Sequence, residues 1–288
     1  MTPLHLAAAL LMVTIWGFNF VVIRWGLNDI PPLLLTLLRF MLAASPALLF
    51  VPRPRAPWRL IAGYGLFAFA LQFTFLFAGM AAGMPTGLSS LVIQVQAFFT
   101  IALVALLMHE RPRPLQVLGG LVAGAGLVLV AWHLPAGTAL GFALVIAAAL
   151  AWATANIIVK RVPGDNPLAV VVWGSAAAVI PLAIATLATE GMSRSARIVG
   201  ELSVGNWLGI AFQAWPTTLV AFGIWAWLLR RHPAAVVAPF TLLVPIVGMS
   251  CAVWLLGEPV TWWKLAGAAL VLAGLGLNVL AARRRRIA

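Results

Sequence analysis

The chain has 288 residues, of which 64% are hydrophobic and only 8% charged, with a mean hydropathy of +1.08 and a formal net charge of +12. Soluble domains carry about 25% charged residues, so this composition cannot cover a water-facing surface and points to an integral membrane protein. The basic residues punctuate apolar runs instead of forming one basic face, which argues against a nucleic-acid partner and makes them markers of orientation in a lipid bilayer.

Breaking the apolar runs at Pro, Gly and charge clusters predicts ten spans, near 5–25, 32–51, 59–82, 86–108, 114–132, 139–160, 167–189, 206–229, 233–256 and 263–282. Each is long enough for a membrane helix of about 20 residues, and no alternating pattern suggests a barrel. No Lys or Arg precedes the first run, which therefore reads as a span and not as a cleaved leader. The single cysteine, Cys251, excludes an intramolecular disulfide.

Polar residues inside these runs are the candidates for function. The first span carries Trp16 and Asn19, the second Arg39, and the third Gln72. The fourth places Thr86, Ser90 and Gln94 at i, i+4, i+8, with Ser89 and Gln96 beside them. Trp152 and Asn156 lie in the sixth span, Gln213 and Trp215 in the eighth. An amide in hydrocarbon is costly unless paired, so such groups line a wet cavity or bond between helices. Arg39 has two open readings: a ligand for a substrate carboxylate, or a donor to carbonyls of neighbouring helices. Pro181, Pro216, Pro239 and Pro245 fall inside spans and mark kinks where gating motions would concentrate. Gly119, Gly120, Gly124 and Gly126, with Gly267, Gly274 and Gly276, permit close helix approach, within one protomer or across a dimer. Trp25, Trp58, Trp132, Trp207, Trp262 and Trp263 sit at span edges as interfacial anchors.

The spacing is duplicated. Pro85, Glu110, Gly119 and Gly126 recur as Pro233, Glu258, Gly267 and Gly274 at a constant offset of 148, while Trp16, Arg24 and Pro31 recur as Trp152, Lys160 and Pro167 at 136. The 12 extra residues fit the polar stretch from Glu190 to Gly205. The chain therefore divides into repeats at 1–137 and 138–288. With both termini inside, thirteen of the 18 basic residues are cytoplasmic, and Arg24, Arg194, Arg197 and Lys264 face outward, leaving Arg39 within the membrane. The Arg283–Arg286 run is then the last topological anchor. Five spans per repeat is an odd number, so the halves insert in opposite orientations. The predicted fold class is an all-α integral membrane protein, ten transmembrane helices as two inverted five-helix repeats, an arrangement suited to alternating access.

The run from Trp16 through Asn19 to Arg24 resembles the opening signature of EamA-type carriers of the drug/metabolite transporter superfamily. Leu38-Arg39-Phe40 resembles their second helix. Glu110-Arg111-Pro112 with Leu115, Gln116 and Gly119, and Gly257-Glu258-Pro259 with Gly267 and Gly274, resemble the ends of their two repeats. Two departures stand out: Ala97 replaces a proline whose counterpart survives as Pro245, and Ser175 replaces the second-helix arginine in the second repeat. The resemblance implies a multi-pass exporter of amino acids and related metabolites in a bacterial-type inner membrane. Among such carriers, aromatic amino-acid exporters look most similar to this aromatic-rich, acid-poor interior. It also implies that Trp16, Asn19, Gln72, Ser90, Gln94, Trp152, Asn156, Gln213 and Trp215 gather around one cavity.

All six acidic residues fall at span ends or in loops, so facilitated transport is expected over carboxylate-based proton coupling. Glu110 and Glu258 are expected to terminate helices and pair with Arg111 or Lys264. A proton-coupled multidrug or metabolite antiporter is the alternative. A membrane-embedded enzyme would need a nucleophile with a base or a metal cluster, and His5, His109, His133 and His232 offer neither. No metal and no cofactor are expected. Oligomeric state stays open between monomer and dimer.

Overall fold

The computed structural model describes residues 1–162 and 166–284; Asp165 and the Arg285–Arg286 part of the terminal run lie outside them. It is all-helical among the described residues: α1 (Pro3–Gly26), α2 (Pro32–Ala47), α3 (Trp58–Ala81), α4 (Thr86–Met108), α5 (Pro114–His133), α6 (Ala139–Val159), α7 (Pro167–Glu190), α8 (Met192–Glu201), α9 (Val204–Arg231), α10 (Ala238–Leu256) and α11 (Trp262–Arg284). Nine of these are long and apolar enough to cross a membrane.

The tenth expected span, α2, is shorter than the sequence suggested. It was expected over 32–51 but stops at Ala47, because Pro46 cannot donate in the last turn and Pro52 and Pro54 bar continuation. The polar stretch after Glu190 holds an extra amphipathic helix, α8. Its Ile198 and Val199 pack on the core, whereas Arg194 reaches Glu190 at 3.3 Å on the exposed side.

Helix starts follow the sequence. Pro3, Pro32, Pro114 and Pro167 occupy first-turn positions where a missing N–H costs nothing, and Thr2 and Asn166 cap two of them with side-chain oxygens. α4 ends at His109 (φ 56°) and α10 at Gly257 (φ 67°), both left-handed and both directly before a glutamate. Those two positions are related by the 148-residue offset.

The same offset relates interruptions within the helices. α3 carries a π-helical stretch at Leu66–Leu71, and the shift carries it into the π-helical stretch of α9 at Gln213–Val220. The 3₁₀ turn Ile93–Val95 of α4 falls likewise beside the 3₁₀ turn Ala238–Leu242 of α10. Only the second members contain prolines, Pro216 and Pro239. Pro245 sits just beyond the 3₁₀ turn, and Pro181 lies inside an otherwise unbroken α7.

Close helix contacts follow the glycines. α5 and α11 pack along one another so tightly that a Cβ on Gly119 would lie 2.6 Å from the Gly274 carbonyl oxygen, and one on Gly126 2.9 Å from that of Gly267. Exchanging the two repeats maps each of these contacts onto the other. α1 meets α10 at Gly17, whose added Cβ would fall 2.6 Å from Val247, and Gly248 receives Ser90 of α4. The anchors Trp25, Trp58, Trp132, Trp207 and Trp262 are exposed, while Trp263 stacks on His133 with ring centroids 5.8 Å apart.

Candidate functional site

A cavity of about 680 Å³ lies among α1, α2, α3, α4, α6, α7, α9, α10 and α11, within the range that accepts a small organic ligand. It reaches the surface beside exposed Pro167 and Arg230 and ends in the opposite direction at Phe20 and Leu76. Beyond that end, Ile23, Met80, Met84, Leu88 and Leu91 fill the interior. The far end is also tied across the repeats. Glu258, at the end of α10, accepts from the Thr86 N–H (2.5 Å) and the Gly87 N–H (3.2 Å) at the start of α4. The expected Lys264 partner is turned away: its Nζ donates to the Pro259 carbonyl at 2.8 Å. Backbone donors at a helix N-terminus, with the dipole behind them, compete well for a carboxylate. Glu110, the counterpart of Glu258, is exposed at the open end.

Of the nine expected site residues, Trp16, Asn19, Gln72, Gln94, Trp152 and Asn156 line the cavity. Three do not. Ser90 is fully buried, donates to the Gly87 carbonyl within its own helix (2.7 Å), and packs on Gly248. Gln213 is buried near Gly26, toward the closed end. Trp215 is 42% exposed on the outside of the bundle and donates from Nε1 to the Leu42 carbonyl at 3.1 Å.

The π-helical stretch of α9 explains this shift. Pro216 has no N–H to give and its ring crowds the preceding turn, so the helix widens. The Thr218 hydroxyl supplies a donor to the Gln213 carbonyl at 2.9 Å, five residues back along the chain. Widening turns Thr217 and Thr218 toward α1 and α2 and leaves Gln213 and Trp215 facing elsewhere. Trp16 Nε1 donates to the Thr217 carbonyl (3.3 Å) and the Thr217 hydroxyl donates to Asn19 Oδ1 (3.1 Å). Arg39 Nε and Nη2 both donate to Thr218 Oγ1, at 3.4 and 3.1 Å.

On the other side, Asn156 of α6 donates through Nδ2 to Gln96 Oε1 (2.9 Å) and to Thr100 Oγ1 (3.2 Å) of α4. The sequence reading therefore missed Thr217 and Thr218 as organising residues, and placed Gln96 only beside the polar stripe. A Pro-Thr-Thr run inside a hydrophobic span was the available signal, since proline disturbs the helix there and the hydroxyls can bond to nearby carbonyls. The walls are aromatic: Trp16 meets Phe222 edge to face at 5.3 Å between centroids, and Tyr64, Phe73 and Trp225 complete the lining. No Asp or Glu lines the cavity among the described residues.

Many membrane-crossing helices around a largely apolar cavity with a few convergent polar groups, open at one end and packed shut at the other, define a multi-pass membrane transporter. Comparison with known proteins gives the family: the model of the EamA-like transporter family matches residues 4–132 and again 139–280, and the chain belongs to that family, within the drug/metabolite transporter superfamily. It is 42% identical over 287 residues to a Salmonella typhimurium protein named "Probable amino-acid metabolite efflux pump", covering 97% of this chain and 96% of that one. An Escherichia coli K12 protein of the same name is 42% identical over 96% of this chain and 95% of its own length. An uncharacterized transporter of Archaeoglobus fulgidus is 26% identical over 93% of this chain and 96% of its own length. A solved crystal structure superposes with a TM-score of 0.64 at 20% identity, covering 96% of this chain and 97% of that one, which shows a shared fold.

Proposed function

We propose that this chain exports neutral amino acids, aromatic ones among them, or closely related metabolites by alternating access. The single observation that carries this reading is the cavity, polar and aromatic in its lining, open beside Arg230 and closed beyond Leu76. A channel needs a path through, and a scaffold has no use for a chamber of this size into which several amide groups converge. Relatives at 42% identity that are named amino-acid metabolite efflux pumps support the cargo class.

In this reading the ten helices α1–α7 and α9–α11 all cross the membrane, as inverted five-helix halves at 1–137 and 138–288. The matched π-helical stretches, the matched left-handed helix ends and the exchangeable α5–α11 glycine contacts support that symmetry. Arg230, Arg161 and Arg113 gather at the open end, which the positive-inside rule assigns to the cytoplasm together with both termini. The structure is then the inward-open state of a bacterial-type inner-membrane exporter. With no carboxylate in the cavity wall, transport runs down the cargo gradient without a carboxylate-borne proton.

Counterflow of a labelled amino acid into liposomes holding purified protein tests the function. Saturable exchange is expected; linear flux that does not saturate would show a channel, and no flux of any amino acid would end the export reading. Gln94 lines the cavity at mid-membrane, so Gln94→Ala should weaken transport by roughly tenfold, the loss of one or two hydrogen bonds to cargo. Wild-type yield and monodispersity should accompany that loss. Orientation is tested in a Cys251→Ala background: single cysteines beside Arg113 should resist an impermeant maleimide added outside, and those beside Lys264 should react. Equal reaction at both would rule out inverted halves.

A further inference from the structure

We propose that Arg39 is the anchor for the cargo's carboxylate, which makes the recognised class carboxylate-bearing molecules whose amino group need not be charged. This rests on the export reading and adds the chemical handle by which cargo is chosen.

The side chain belongs to the cavity wall and is fully buried, the largest such residue among the described ones. Its guanidinium lies 4.0 Å from the centroid of the Phe73 ring and 5.2 Å from that of Phe40. Two of its nitrogens share one acceptor, Thr218 Oγ1, and the third, Nη1, has no hydrogen-bond partner. Five N–H donors in a planar fork are thus met by a single oxygen. The ring faces of Phe73 and Phe40 ease the burial of the cation but are no substitute for an anion. No Asp or Glu among the described residues lines the cavity to supply one. A permanent cation held in the middle of a membrane protein without an acidic neighbour is costly, and it is tolerated where an anion visits. The planar fork matches the two oxygens of a carboxylate or a phosphate, and an amino acid carries the first of these.

The same lining says what happens at the cargo's other end. Asn19 Oδ1 already accepts from Thr217, and Gln96 Oε1 already accepts from Asn156. A protonated amine would meet neutral and partly occupied acceptors and a positive Arg39. The cavity therefore has a charge for the carboxylate and none for the ammonium. Amino acids enter as zwitterions, N-acylated amino acids should enter at least as well, and amides or esters that keep only the positive charge should be refused.

Ligand binding to the purified transporter, read as quenching of tryptophan fluorescence and as a shift in thermal unfolding, tests this with the wild-type protein. The probes are the protein amino acids as free acids, the same compounds as primary amides, and the N-acetyl derivatives of those that bind. Free acids and N-acetyl acids are expected to bind, and the amides about tenfold or more weaker, the loss of one charge-assisted bond. Arg39→Lys, which keeps the charge and loses the fork, should retain a reduced preference, and Arg39→Gln should erase it. If Arg39→Gln does not fold, the acid–amide series on the wild type and Arg39→Lys still decides. Acids and amides that bind equally to the wild type would overturn the anchor while leaving export intact. Binding of none of the free acids would overturn the export reading and the anchor with it.

Discussion

Gly274→Val is expected to lower the unfolding midpoint in detergent far enough that little folded protein is recovered. α5 and α11 are the most intimately packed pair in the molecule, and the backbone of each is the other's neighbour. A Cβ added at Gly274 would sit 2.3 Å from the Gly119 carbonyl oxygen and 2.9 Å from both the backbone nitrogen and the Cβ of Ala123. Backbone atoms cannot swing aside as the tip of a long side chain can, so the helices must part along their length. Overpacking in a filled core costs about 1–3 kcal/mol, and more where the clash is with backbone. Gly276, two residues on, has nothing within 4 Å of its added Cβ, so Gly276→Val carries only the change in helix propensity. The comparison is thermal unfolding of both variants followed by size-exclusion recovery. Equal stability of the two would mean that α5 and α11 do not meet at this register. By the exchange of repeats, Gly126→Val should behave as Gly274→Val does, its added Cβ meeting the Gly267 carbonyl oxygen at 2.9 Å.

Those glycine contacts show what was legible in the sequence and why. A period of 148 residues is preserved in the helix ends, the irregular turns and the glycine pairs because each of these is a backbone requirement that few residue types meet. Composition alone decided that the chain is helical and membrane-embedded. What the sequence could not place was azimuth. Trp16, Asn19, Gln72, Trp152 and Asn156 reach the cavity from regular α-helical turns where the 3.6-residue period holds, and Gln94 reaches it from the 3₁₀ turn of α4. Gln213 and Trp215 sit at a π-helical stretch, where the period breaks and each later side chain turns by a large angle; the same break delivers Thr217 and Thr218 to the interior. Ser90 fails for another reason: its helix carries a 3₁₀ turn at Ile93–Val95, so a stripe drawn through Thr86, Ser90 and Gln94 does not stay on one face. Length was overestimated most clearly for α2, expected over 32–51 and ending at Ala47 one residue past Pro46.

Glu258→Gln is expected to release the closed end. In the wild type the two carboxylate oxygens divide the work, Oε1 taking the Thr86 N–H and Oε2 the Gly87 N–H, and the negative charge faces the positive end of α4. Glutamine keeps one good acceptor, turns the other position into a donor that faces an N–H group, and removes the charge. Bonds to a charged acceptor contribute about 1.5–3 kcal/mol each and the helix dipole about 0.3–1 kcal/mol more, so a loss of roughly 2 kcal/mol is a fair expectation. If the two ends open alternately, that energy biases the populations by about thirtyfold toward the state open at this end. Leu88, 1% exposed and two turns or less from the contact, is the reporter: a Leu88→Cys, Cys251→Ala protein should react slowly with an impermeant maleimide supplied outside, and the added Glu258→Gln should speed that reaction by about tenfold or more. Thermal stability should fall by far less than in Gly274→Val, because the contact joins moving parts and not the permanent α5–α11 seam. Unchanged labelling in a well-folded Glu258→Gln protein would mean that the carboxylate caps α4 without holding the end closed. Faster labelling with a collapse in stability as large as that of Gly274→Val would assign Glu258 to the scaffold instead.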